Sequence, residues 1–144
     1  MILVFRLLST LPLAWLHHLG AVAGWLSWLL SPTYRRNMRE NMVRALGAEG
    51  ARRERVAAIA EAGRQSLELP KLWLRPLHEV AGRVVEVSGW ELAEAAMRAG
   101  KGILYITPHL GCFEITAQYL SMHAPITVLY RPPKQAWMQT MIEI

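Results

Sequence analysis

The sequence predicts an α/β fold in which an N-terminal membrane helix and a basic helical region precede a parallel β-α-β-α-β core. Three observations carry this expectation. Residues 7–30 contain no formally charged side chain. Arg35, Arg36, Arg39, Arg44, Arg52, Arg53 and Arg55 follow directly. From Val84 onward, short apolar runs alternate with amphipathic stretches of helical period, the pattern of right-handed parallel crossovers. The 144 residues divide at this level into a membrane-associated helix (1–31), a basic helical region (32–80) and the first part of an α/β domain (81–144).

As a helix, residues 7–30 run about 36 Å, enough to cross a bilayer. Arg6, the apolar run and Ala21-Val22-Ala23 together mimic a secretory signal with its small-residue cleavage site. Against cleavage, the apolar character continues through Trp25, Leu26, Trp28, Leu29 and Leu30. Pro12, the pair His17-His18, Gly20 and Gly24 make a poor bilayer core, so a helix lying in the interface competes with one that spans with a kink. Trp15, Trp25 and Trp28 suit the headgroup zone in either arrangement. His17 and His18 read as residues tolerated near that zone.

The net charge of +5 comes largely from the arginines after the apolar run. By the positive-inside rule they place the following chain on the cytoplasmic face of a membrane. They also attract anionic lipid headgroups and phosphorylated substrates. No nucleic-acid module accompanies them. The single cysteine, Cys112, excludes an intramolecular disulfide and fits a reducing compartment.

Ser31-Pro32 ends the first helix. Residues 34–46 form a basic amphipathic helix with Met38, Met42, Ala45 and Leu46 on one side, broken by Gly47 and Gly50. Residues 51–69 form another, with Val56, Ile59, Ala60, Ala62, Leu67 and Leu69 at helical spacing. Pro70 stops it, and 71–77 is a short connector. Strands are then expected at 84–87, 102–107 and 126–130, and helices at 89–99, 111–123 and 134–144. The pattern stops in mid-helix, so the α/β core is expected to be incomplete at its C-terminus.

The middle strand runs into Thr107-Pro108-His109-Leu110-Gly111-Cys112-Phe113-Glu114. On one continuous helix His109 and Glu114 would lie about 140° apart and could not readily touch. Pro108 disfavours helix at Thr107, however, and Gly111 permits an unusual backbone. His109 is therefore placed in a loop and Glu114 in the first turns of a helix. The carboxylate can then accept one imidazole N–H and leave the other nitrogen free as a base. With an unperturbed pKa of about 6.5, histidine suits that role near neutral pH. The same residues also fit a histidine merely hydrogen-bonded at a helix start. Cys112 reads either as a small residue at that start or as a thiol nucleophile with His109 as its base.

The run from Lys101 to Gly111, then Glu114, then Ile126-Thr127-Val128-Leu129-Tyr130-Arg131-Pro132, resembles the late acyltransferases of lipid A biosynthesis. These are the lauroyl- and myristoyl-transferase-like enzymes of Gram-negative bacteria. The upstream parts are similar too: the membrane helix, Arg36 with Asn41 in a basic helix, and Val87-Ser88-Gly89 before the helix containing Glu91. The resemblance covers almost the whole chain, although such enzymes are longer, and implies a core like that of the glycerolipid acyltransferases.

That family's H-x-x-x-x-[DE] motif maps onto His109 and Glu114. The resemblance implies that His109 deprotonates a hydroxyl of a lipid A precursor, which attacks the thioester of an acyl carrier protein while Glu114 steadies the imidazolium. Arg131 is implied to hold a sugar phosphate or a developing oxyanion, with Gly111 as the other substrate-binding position. No cofactor and no metal are called for. The implied partners are an acidic acyl carrier protein, an anionic glycolipid acceptor and the cytoplasmic face of the bacterial inner membrane, with no nucleic acid. Two departures stand out: Cys112-Phe113 replaces the Asn-Trp of many members, and the family's further functional arginine lies beyond the helix that starts near Lys134. The competing readings are a lysophosphatidate-type glycerophospholipid acyltransferase and an inactive membrane-bound fragment.

Overall fold

Pro12 divides the apolar N-terminus into two helices, α1 (Ile2–Thr10) and α2 (Leu13–Leu30). Ser9 and Thr10 turn their hydroxyls back onto the carbonyls of Arg6 and Leu7, each at 2.7 Å, and so close the last turn of α1. Pro12 takes an extended backbone, and its carbonyl accepts the amides of Trp15 and Leu16 to start α2. Ser31 both ends α2 and begins α3 (Pro32–Leu74): its N–H donates to Ser27, and its hydroxyl accepts the Tyr34 amide at 3.2 Å. Pro32 sits at the first helical position, where its missing N–H costs nothing.

In this computed structural model residues 2–129, 131–134 and 138–139 are described. They fall into two units, one made of residues 2–74 with 134 and 138–139, the other spanning Arg75–Pro133.

In the first unit α2 packs antiparallel on the second limb of α3. Gly20 lies against Gly63 and Arg64, and Gly24 lies against Ile59 and Gly63. Absence of side chains lets the two backbones meet, as in tightly packed helix pairs of membrane proteins. Leu16 and Ile59 are fully buried between the helices, with Ala51, Pro70 and Leu72 extending the core. Polar links hold it as well. His17 Nε2 meets Glu68 Oε1 at 2.6 Å. The buried Lys71 donates from Nζ to the Ser9 carbonyl at 3.0 Å, placing a cation at the negative end of α1.

Gly47 has φ 72° and ψ 174° and kinks α3 as the sequence leads one to expect, whereas Gly50 leaves the helix intact. Pro70 does not stop it. The helix continues through Lys71 to Leu74, because burial of Pro70, Lys71 and Leu72 against the hairpin outweighs the lost backbone bond.

The second unit holds α4 (Leu77–Ala81), α5 (Trp90–Arg98) and α6 (Glu114–Ser121). Val80 is fully buried where α4 meets α6. Trp90 packs on Tyr119 edge to face at 5.7 Å and on His123 at 4.6 Å, joining the start of α5 to the end of α6. Glu79 accepts from Arg75 Nε and Nη2 at 2.8 and 2.6 Å. That hydrogen bond, and then the carboxylate's charge, raise the Arg75 pKa above its ordinary value.

The expected α/β core is not what forms. Among the described residues there is no strand, and the runs at 84–87, 102–107 and 126–129 carry no ladder. The expectation of a parallel β-α-β-α-β sheet of the glycerolipid acyltransferase kind is therefore corrected to an all-helical arrangement joined by irregular segments. Val85, Leu104, Ile106 and Leu129 are 97, 87, 87 and 101% exposed. Local β propensity does not make a strand by itself, since a ladder needs a neighbour alongside and a covered face to reward the pairing. The helices between these runs do form, α5 and α6 falling inside the expected 89–99 and 111–123. Tyr130 and most of the expected last helix lie outside the described residues.

Candidate active site

The turn at 107–114 is built from its backbone outward. The Leu110 amide donates to the Pro108 carbonyl at 2.9 Å, so His109 occupies the middle of a three-residue turn. No residue other than glycine has positive φ among those described, which makes this the inverse form of that turn. His109 is exposed at its apex. Gly111 follows with φ +55° and open space where a Cβ would stand. Glycine adopts this positive φ without strain, the unusual backbone that the sequence leads one to expect here.

The chain then enters α6, which begins at Glu114. A carboxylate in the first turn is favoured by the amide dipoles there. The amides of Ile115 and Thr116 bond back to Cys112 and Phe113 at 3.2 and 3.0 Å, setting the first turn of the helix. His109 thus lies outside the helix and Glu114 at its start.

Phe113 supplies what the sequence reading missed. Its ring lies 4.1 Å from the His109 imidazole, centroid to centroid, at a 40° tilt. Contact with Phe113 restricts the ring's rotation, and His109 as a whole stays exposed. The signal available in the sequence was the aromatic beside the acid, retained where related enzymes carry tryptophan. Cys112, the single cysteine, is half-buried. Arg131 is exposed and enters no ion pair among the described residues.

A family model described as bacterial lipid A biosynthesis acyltransferase matches residues 1–144. The chain belongs to this family. Among curated proteins and among solved structures nothing matches. Family membership makes the chain an acyltransferase of bacterial lipid A biosynthesis in general terms. Among the described residues, α2 is long and apolar enough to cross a membrane by length and composition. In this lipid A acyltransferase His109 stands on the exposed turn before α6 and Glu114 opens that helix, while the apolar α2 belongs to the other unit.

Proposed function

We propose that the chain transfers a fatty acyl group from an acyl carrier protein thioester to a hydroxyl of a lipid A precursor at the cytoplasmic face of the bacterial inner membrane. One imidazole nitrogen of His109 takes the hydroxyl proton as the oxygen attacks the thioester carbonyl. The carbon–sulfur bond breaks, and the imidazolium returns its proton to the departing thiolate. An ester and a free carrier thiol result. Glu114 orients the ring and stabilises the imidazolium, and Arg131 meets an anionic group of the acceptor by charge-assisted hydrogen bonds. Gly111 keeps the approach to the histidine free of a side chain.

The observation that supports this reading most is the exposed His109 at its turn apex, its ring against Phe113, with Glu114 five residues on at the start of α6, in a chain of this family. The basic charge of the chain fits an acidic carrier protein, which it would steer in by long-range attraction.

Mass spectrometry of lipid A from cells lacking the gene tests the proposal. A species short of one acyl chain, restored by the wild-type gene and not by His109→Ala, is the expected result. Unchanged lipid A, with acyl transfer to lysophosphatidate by the purified protein, would assign the chain to glycerophospholipid synthesis instead.

A further inference from the structure

We infer that the cavity between α2 and the two limbs of α3 is a binding site for the phosphate headgroup of an anionic glycerophospholipid of the bilayer on which the enzyme works. This inference rests on membrane association and is independent of the His109 chemistry.

The cavity has a volume of about 370 Å³, within the ordinary range for small-molecule sites. Arg35, Arg39, Arg52 and Arg55 line it, and none of its lining residues is acidic. Arg35 and Arg39 are four apart on one limb, Arg52 and Arg55 three apart on the other, so each pair shares a helix face. The Gly47 bend turns the two limbs about this common space. Like charges so placed repel one another unless an anion joins them. Arg39, Arg52 and Arg55 enter no ion pair among the described residues, while the neighbouring Arg53 is paired with Glu54 at 2.8 Å. Arg35 is partly committed, donating from Nη1 to the Trp28 carbonyl at 3.3 Å.

The walls are apolar, with Trp28, Met42 and Ala51 among them. A ligand with an anionic head and a hydrocarbon stem uses both features. A soluble acidic protein surface would meet the arginines and leave the walls unfilled.

The adjoining helix points to the same class of ligand. Trp15, Leu19, Val22, Leu26 and Leu29 recur at i, i+4, i+7, i+11 and i+14 along α2 and are 44 to 65% exposed. They lie opposite the face on which Leu16, Gly20 and Gly24 are buried. An unpartnered apolar stripe of this length is a membrane-contact face. Beside α2 runs the second limb of α3, with Arg52, Arg53, Glu54, Arg55, Glu61 and Arg64. Charges of that number cannot follow α2 into hydrocarbon. The hairpin therefore lies along the interface, at the depth of lipid phosphates.

Flotation of the full chain with phosphatidylcholine vesicles, with and without phosphatidylglycerol, tests the site. Arg39→Gln, Arg52→Gln and Arg55→Gln should each weaken phosphatidylglycerol-dependent binding about fivefold. Arg53→Gln removes the same charge outside the cavity and should leave binding near wild type. Ala48→Phe, at an exposed position on the cavity lining, should erase the phosphatidylglycerol preference with charge unchanged and helical circular dichroism retained. Equal losses for Arg52→Gln and Arg53→Gln would reduce the effect to diffuse charge and overturn the site. So would displacement by inorganic phosphate or by acyl carrier protein, or a preference confined to vesicles carrying lipid A precursor.

Discussion

Gly20 of α2 lies so close to Gly63 of α3 that a Cβ at position 20 would stand 2.7 Å from the Gly63 carbonyl oxygen. The apolar helix is thereby fixed to the charged helix behind it by backbone contact. Gly20→Leu or Gly63→Leu must push the helices apart, and each is expected to destabilise the hairpin by about 3 kcal/mol or more. Denaturant unfolding followed by far-ultraviolet circular dichroism measures the loss. Wild-type stability in both variants would mean that the helices do not meet here.

The His17–Glu68 contact gives a finer test. Glu68 retains 18% side-chain exposure, so removal of its partner leaves a largely buried carboxylate short of a hydrogen bond. His17→Phe should cost about 1–3 kcal/mol, while His18→Phe, at an exposed position, should be close to neutral. The two unfolding midpoints, compared side by side, check it.

How far the sequence could be read follows from these contacts. The helix ends at Ser31-Pro32, the kink at Gly47 and the positive φ at Gly111 were legible, because each depends on the local chemistry of proline or glycine. The pairing of Gly20 and Gly24 with Gly63 was not, since it joins positions some forty residues apart. Those glycines read as defects in a membrane core, yet they are the surface that packs. The same limit explains the missing sheet: Leu104 and Ile106 have strand character locally, but pairing is decided by neighbours. At the candidate site the sequence placed His109 in a loop and Glu114 at a helix start; the support from Phe113 had only the aromatic identity as its signal.

Lys71 ties the end of α1 to α3 through the Ser9 carbonyl. Lys71→Met keeps much of the side-chain volume and removes that donor. Hydrogen exchange of the α1 amides is expected to rise by about 10–100-fold, since loss of a charged hydrogen bond is worth about 1.5–3 kcal/mol. Unchanged protection in Ile2–Thr10 would show that α1 is held by packing alone.

Phe113 separates ring support from acid–base chemistry. Phe113→Ala should lower kcat about 10–100-fold through lost positioning of His109, with a smaller effect on KM, and Phe113→Trp should restore most of it. Cys112→Ala should retain activity, which removes a thiol nucleophile from consideration. Steady-state kinetics on the three variants read both outcomes.

The most direct measurement is the rate at which the purified full chain, in vesicles containing anionic phospholipid, acylates a lipid A precursor from acyl carrier protein. His109→Ala is expected to cut that rate by a factor of about 10²–10⁴ while vesicle binding is unchanged. Acyl transfer by His109→Ala at the wild-type rate would contradict the assignment of His109 as the base.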